Sequence, residues 1–583
     1  MPLKYFTMER LKEGIIPWYN PYNGGGEYFL SNPQTNFFYP LSYLFVLPPQ
    51  IGFQLYQFFQ ILFCFIGVYL LSKSYGKGEI QAISYGFSVI FSGIFLSLWD
   101  LTFEMGCLSF LFLSLWALKV KKKDFLLLFL SLMFFSGEPF SFFFSFLFIF
   151  FFIIVEKIEF KKYIKSIIFF TIFSSGIVFL ILSIIFDTTR TEKSSLIFEG
   201  LNYKKILSLI SGTASFYNSN DYSYLPILFF GTHLFSNFLC GAFLKNKKNI
   251  YLVTFFFTLI LSMGSFGIFK FLFYLPPFSL LRYPDRFLTF CIVPMLLIAL
   301  EKKKNSKGAF LLHFTLILIS FLFYAPKNII FLIPTITIFF ILIIPQKSKL
   351  IILIPFLDLI LSLPLFTSVH FKIPTLPFDL KKQNFLRVSP PEKNLIYLKY
   401  LYPNNYFTKE SDFKGIQALE SYTNLFYPIS TNYTPHPFPS KIYKNSYEEI
   451  DYKLSCKYIG IIEKERLKWH QINSFPLFEP EIENLRIKGD GFEFKVNLNK
   501  EEKIILRFLD LKYTKVFANG KKIEVEKDEK WIKFYLKPGN YDIKISFTPL
   551  ILKILYLLSF LAWGIFLCYL IIKWIFLLFS YLA

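Results

Sequence analysis

A polytopic α-helical membrane protein of about 13 transmembrane helices, with a C-terminal β-rich domain outside the cytoplasm, is the fold the sequence predicts. The first observation behind this is composition. Of 583 residues, 54% are hydrophobic and 21% aromatic, with 80 phenylalanines, and only 17% are charged. Soluble domains carry about 25% charged residues, so a soluble globular chain is excluded. The second is that the apolar excess falls in runs of roughly 15–22 residues, enough to cross about 30 Å of hydrocarbon. The third is the placement of charge: the net charge is +22, and the lysines lie between the apolar runs. That pattern speaks for membrane topology and against nucleic acid as a partner.

The elements follow in order. Residues 1–50 form a polar, aromatic segment at the outer membrane face, and residues 51–366 form the multi-spanning domain. Its spans are expected near 51–72, 81–98, 102–118, 124–136, 139–155, 166–186, 224–244, 250–266, 286–300, 308–324, 329–344 and 349–366. Gly137-Glu138-Pro139 marks a tight helical hairpin, and residues 266–281 are expected to dip into the membrane without crossing it. Six loops (73–79, 119–124, 156–165, 245–249, 301–307 and 345–349) hold 19 lysines, whereas the alternate short loops hold only Lys327. Because cytoplasmic loops carry the Lys/Arg excess, segments 1–50, 187–223, 266–285 and 367–549 are expected outside. With residues 1–50 outside and no apolar run ahead of them, a first helix preceding Met1 is expected.

Past residue 367 the helical runs stop. Residues 367–480 read as mixed α/β, and residues 484–548 as a small antiparallel β-sandwich. Phe492, Phe494 and Val496 alternate along one strand, and Asn519-Gly520 sits between two alternating runs, the strongest short hairpin signal because both turn residues need positive φ. A strand at Trp531 to Leu536, a turn at Lys537-Pro538-Gly539-Asn540 and a strand at Tyr541 to Phe547 complete the domain. Residues 550–583 hold the last transmembrane helix.

The six cysteines are scattered singly, five of them in apolar runs, and the five histidines form no zinc or triad motif. The polar candidates cluster elsewhere. In the first segment Trp18, Asn20, Glu27, Asn32 and Gln34 put amides, an aromatic and a carboxylate among turn-forming residues. Asp100, Glu104 and Glu138 are acids near the ends of spans, and Arg282, Asp285 and Arg286 flank Pro284 at the start of another. Charges at such depth are costly and often functional, and guanidinium forks match phosphate oxygens.

The string Trp18-Tyr19-Asn20-Pro21-Tyr22, with Gly25-Gly26, Asn32-Pro33-Gln34 and Phe38-Tyr39-Pro40, resembles the opening of the bacterial YfhO-like membrane proteins. The resemblance continues at Ser92-Gly93, at Gly137-Glu138-Pro139 and from Leu275 to Phe287, including Arg282-Tyr283-Pro284-Asp285-Arg286. It implies a GT-C-type fold and glycosyl transfer from a polyprenyl-phosphate-linked sugar to a cell-envelope polymer or lipid. It also implies a multi-pass place in the bacterial cytoplasmic (inner) membrane, in contact with membrane lipids. That class carries an acid in its first outer loop, and here the matching region would precede Met1. Of the acids present, Glu27, Asp100 and Glu104 are the candidates for catalysis, with Trp18, Asn20, Asn32, Gln34, Arg282, Asp285 and Arg286 as candidates for holding substrate. A divalent metal could stabilise the departing phosphate, though no ligand set is legible. Two other functions compete: a transporter or flippase of lipid-linked saccharides, and a non-catalytic envelope assembly protein. No inverted repeat with broken helices is visible to favour transport.

Overall fold

The computed structural model describes residues 2–362 apart from 22–25, 100, 186–199, 202–205, 212–224, 226–227, 243–248, 274, 276–277, 279–283, 302–306, 325–332 and 345–347. Beyond these it describes 386–389, 429–431, 458–463, 466–471, 478–480, 482–526 and 531–582. The chain is mostly helical up to residue 362, and a separate β-rich region precedes the last helix.

A short helix, α1 (Pro2–Lys12), opens the chain and leads into a two-stranded ladder, β1 (Tyr19–Asn20) with β2 (Glu27–Tyr28). Helix α2 (Pro49–Ser74) begins with Pro49, whose missing N–H is harmless in the first turn. Next come α3 (Glu79–Ile90), α4 (Gly93–Leu96), α5 (Thr102–Lys119), α6 (Lys123–Phe135), α7 (Pro139–Val155) and α8 (Ile164–Ile185). The predicted span 81–98 is thus two helices, because Ser92 Oγ accepts a hydrogen bond from the Phe95 N–H and caps a new turn. The expected hairpin at Gly137-Glu138-Pro139 is present between α6 and α7.

The second half runs through α9 (Ser208–Ser211), α10 (Thr232–Ala242), α11 (Asn249–Ser262), α12 (Phe269–Leu272), α13 (Phe287–Glu301), α14 (Lys307–Tyr324), α15 (Ile333–Ile343) and α16 (Ile354–Ser362). Helix α17 (Leu550–Leu582) closes the chain. Among the described residues, four helical stretches are long and apolar enough to cross a membrane: Ile51–Ser74, Thr102–Lys119, Phe160–Leu182 and Leu550–Lys573. Helix α5 is the central one, buried along nearly its whole length with α2, α6 and α7 packed around it. Helices α8 and α17 pack on each other, the Gly176 N–H donating to Ser559 Oγ at 2.8 Å, and turn exposed Phe179, Leu182, Leu561 and Ile565 outward. An exposed apolar band of that kind is what a lipid-facing surface requires.

The β-region contains β3 (Leu386–Ser389), β4 (Ile429–Thr431), β5 (Tyr458–Glu463) and β6 (Arg466–Gln471) in one sheet, with β3 parallel to both β4 and β5. The rest of the predicted mixed segment 367–480 lies largely outside the described residues. The sandwich is built from two further sheets. One is ordered β12 (Lys521–Ile523), β11 (Lys515–Ala518), β14 (Gly539–Ser546), β9 (Gly491–Leu498), β8 (Glu483–Lys488); the other is β13 (Trp531–Leu536), β10 (Glu502–Leu509), β7 (Phe478–Glu479). Phe492, Phe494 and Val496 point inward as their alternation requires, meeting Ile504, Leu506 and Phe534 from the other sheet. Asn519 and Gly520 turn between β11 and β12 with φ of 47° and 78°. The run from Trp531 to Phe547 is not a hairpin: β13 and β14 belong to different sheets, so its turn crosses the sandwich.

The sandwich core is completed from the other end of the chain. Tyr19 stacks on Phe547 with ring centroids 3.9 Å apart, its N–H donates to the Gly489 carbonyl at 2.8 Å, and Tyr28 Oη accepts from the Tyr513 N–H at 3.1 Å. Asp490 accepts from the Thr548 N–H at 2.8 Å and pairs with Lys553 of α17 at 2.5 Å. The N-terminal ladder, the sandwich and the last helix are therefore tied together.

Candidate active site

Three helices begin at one place: α5, α7 and α13. Glu104 lies in the first turn of α5, Glu138 is the residue before α7, and Arg286 ends the 3-10 turn Pro284–Arg286 that leads into α13. The Arg286 guanidinium pairs with both carboxylates, closely with Glu104 and at 2.9 Å with Glu138. Its other face lies 5.1 Å from the Phe140 ring centroid. The three side chains are 11%, 1% and 8% exposed, in the order Arg286, Glu104, Glu138. Helix N-termini carry positive partial charge, so both carboxylates sit where the backbone favours anions. Asp285 is buried beside Arg286.

Local sequence explains how Glu138 reaches this place. Gly137 has φ of +94°, and a Cβ there would come within 2.6 Å of Asn36 Nδ2, so the turn requires glycine. Asn36 Nδ2 donates to the Phe135 carbonyl at 3.1 Å and to that of Ser136, and Ser136 Oγ donates to the Phe103 carbonyl at 3.2 Å. Pro139 then starts α7. The hairpin is thereby clamped between the N-terminal segment and α5.

The other expected site residues divide into several places. Glu27 accepts from Asn20 Nδ2 at 2.8 Å across the β1–β2 ladder, both side chains being buried. Trp18 is buried with its ring 5.2 Å from that of Tyr556 on α17. Asn32 Oδ1 accepts from the Gln34 N–H at 3.0 Å and caps the 3-10 turn Pro33–Thr35, leaving Gln34 half-buried. Asp100 and Arg282 lie outside the described residues. Of the acids and bases singled out, the structure brings Glu104, Glu138 and Arg286 into direct contact.

Glu138 was legible as an acid near a span, yet nothing in the linear order joins it to Glu104 or Arg286, and it was absent from the expected site. Its flanking Gly137 and Pro139 were the available signal. Beside the hairpin lies a small, mostly apolar cleft lined by Pro33, Phe38, Phe135, Pro139, Ile181 and Tyr556 among others, between the N-terminal segment and helices α8 and α17. Among the described residues, no group of three or more His, Cys, Asp or Glu side chains is placed to hold a metal ion. The chain matches no known protein-family model, no curated protein and no solved structure.

Proposed function

We propose that the protein is a membrane glycosyltransferase that moves a sugar from a polyprenyl-phosphate donor to a cell-envelope glycopolymer or lipid. In this reading it sits in the bacterial cytoplasmic membrane with about 13 spans, its candidate site and β-region facing outward, as the lysine alternation favours. The observation that carries the reading is the pair of carboxylates held by Arg286 where three helices begin. Transfer needs a base: the acceptor oxygen attacks the anomeric carbon, the carbon–oxygen bond to phosphate breaks, and the hydroxyl proton passes to a carboxylate. Glu138 is the base in this scheme, being the more exposed of the two acids, while Arg286 and Glu104 hold it in position. The exposed apolar band on α8 and α17, whose residues Ile181 and Tyr556 also line the cleft beside the hairpin, supports a donor carried on an isoprenoid in the membrane. Resemblance of the Trp18 to Pro40 and Leu275 to Phe287 stretches to YfhO-like proteins supports the donor class.

The test is sugar transfer from a polyprenyl-phosphate-linked sugar in membranes, normalised to protein level. Glu138→Gln should lose about 10²- to 10⁴-fold in rate, the usual contribution of a general base. Wild-type rates in both Glu138→Gln and Glu104→Gln would sink the proposal.

A further inference from the structure

Two of the six lysine-bearing loops meet in the folded chain. The turn between α5 and α6 and the segment between α7 and α8 are joined by Tyr163 Oη, which donates to the Leu118 carbonyl at 3.4 Å, and by Ser166 Oγ, which donates to the Lys123 carbonyl at 3.4 Å. Glu159 of the second loop lies within electrostatic reach of Lys121 in the first. Helix α17 reaches the same place, where Lys573 pairs with Asp124. Residues 119–124, 156–166 and 573 together hold nine lysines and three acids, a surplus of six positive charges.

Each acid already has a lysine of its own. Asp124 pairs with Lys573, Glu159 with Lys162 at 2.8 Å, and Glu156 with Lys119 at 2.6 Å while also accepting from the Tyr75 and Tyr251 phenols. Among the described residues no carboxylate forms an ion pair with Lys122, Lys123, Lys157, Lys161 or Lys165, and all five are exposed. Helix ends do not account for them. A cation suits a helix C-terminus, and Lys121 and Lys157 stand just past α5 and α7, but Lys122, Lys123 and Lys165 stand at the N-terminal ends of α6 and α8, where the dipole opposes positive charge. Nor does topology, since sidedness asks for lysines on one face of the membrane and not for two loops and a third helix gathered at one point.

The lysines border an outward-facing apolar surface. Phe150 and Ile154 on α7, Phe160 in the connecting turn, and Ile164 and Ile168 on α8 are all exposed, and the Phe150 and Phe160 rings are 6.2 Å apart. Helix α7 runs 17 residues from the Glu138 end to this one, about 25 Å at 1.5 Å per residue, so the lysines lie away from the candidate active site. A soluble anion would match the charge and leave the apolar border without a partner. A phospholipid of net negative charge matches both, its headgroup on the lysines and its chains on the helices.

We propose that the lysines of the α5–α6 and α7–α8 connections form a binding surface for the headgroup of an anionic phospholipid, whose chains lie along the exposed faces of α7 and α8. The bound headgroup bridges two connections of the bundle at the point where Lys573 ties in the last helix. This inference rests on the chain spanning a membrane and is independent of glycosyl transfer.

The experiment titrates the detergent-solubilised full chain with phosphatidylglycerol and with phosphatidylcholine, and counts bound lipid by native mass spectrometry. Both lipids carry a phosphate diester, but only the first has net charge, so the wild type should bind phosphatidylglycerol the more tightly. The triple change Lys122→Gln, Lys161→Gln, Lys165→Gln should weaken that binding by about fivefold for each lysine removed and leave phosphatidylcholine binding as it was. Lys515→Gln, Lys521→Gln and Lys522→Gln together remove the same charge from exposed positions of the sandwich, and this variant should bind as the wild type does. Equal affinity of the wild type for the two lipids, unchanged binding by the first variant, or equal weakening in the second overturns the proposal. Displacement of phosphatidylglycerol by glycerol phosphate at matched concentration would assign the lysines to a soluble anion and overturn it as well.

A salt series on the wild type needs no variant to fold. At 1 M salt the screening length falls to about 3 Å, so the preference for phosphatidylglycerol should largely vanish, and a preference that persists overturns the proposal. Sugar transfer enters none of these readouts. A protein that transfers no sugar yet prefers the anionic lipid would lose the glycosyltransferase reading and keep this surface, and the converse result would do the reverse.

Discussion

Removing the Arg286 guanidinium would leave Glu104 and Glu138 facing each other with side chains only 1% and 8% exposed. Breaking a buried pair by deleting one partner costs about 3–5 kcal/mol, most of it the price of the charge left behind. Arg286→Met should therefore lower the thermal midpoint of the detergent-solubilised protein more than Glu104→Gln does. The combined change Glu104→Gln, Glu138→Gln, Arg286→Met should recover much of the loss, because it leaves no charge uncompensated. If Arg286→Met unfolds at the wild-type midpoint, the triad contributes nothing to the fold. Lys4, only 3% exposed on α1, carries the opposite sign, and burial lowers its amine from the ordinary 10.5 to about 7. Its folded value lies below its unfolded one, so the unfolded chain binds the extra proton between about pH 7 and 10.5, and stability should rise with pH across that window. Lys4→Met should abolish that contribution to the slope.

At the scale of elements, two glycines hold positions no other residue occupies without strain. Gly137 turns the α6–α7 hairpin against Pro33 and Asn36, and Gly137→Ala must push the N-terminal segment away or unwind the start of α7. Because Glu138 follows directly, the expected outcome is a lower midpoint together with lost sugar transfer; unchanged values of both would show that the turn does not position the acid. Gly520, at φ +78° in the β11–β12 turn, has open space around it. Gly520→Ala should cost only the backbone penalty of about 1–2 kcal/mol, read by unfolding of the intact chain, and leave transfer unchanged. A different device operates at α10, where Asp358 of α16 accepts from the His233 backbone N–H at 3.3 Å. A carboxylate from one helix there satisfies the free N–H groups and dipole of another.

For the whole molecule, the prediction concerns sidedness. A reporter active only in the cytoplasm should work when fused at residue 122, within the Lys121-Lys122-Lys123 loop, and one active only after export should work when fused at residue 460. The reverse at both positions would invert the molecule and place the Glu104–Arg286–Glu138 group on the wrong face for a polyprenyl-phosphate donor. Docking of the sandwich is set by Tyr19 against Phe547 and by Asp490 against Lys553. These contacts join the N-terminal ladder and the last helix to the sandwich.

Most of the helices and the sandwich were legible because their signals are periodic and local. Runs of apolar residues specify membrane helices, alternation specifies strands, and Asn519-Gly520 specifies a turn, each without reference to distant residues. The break at Ser92 was missed because hydropathy does not register one side-chain cap. The site was legible only in fragments. Glu104 and Arg286 were singled out one by one, and Glu138 was noted but left aside. Away from the site, the burial of Lys4 carried no signal at all, for a lysine near an N-terminus reads as a solvated charge. By itself the sequence determined that the chain is an apolar, helical protein with a β-rich appendage. Only the tertiary structure decided which charges meet, because pairing among residues 104, 138 and 286 and burial of residue 4 arise from long-range packing, and no local pattern of residues encodes the distance between them.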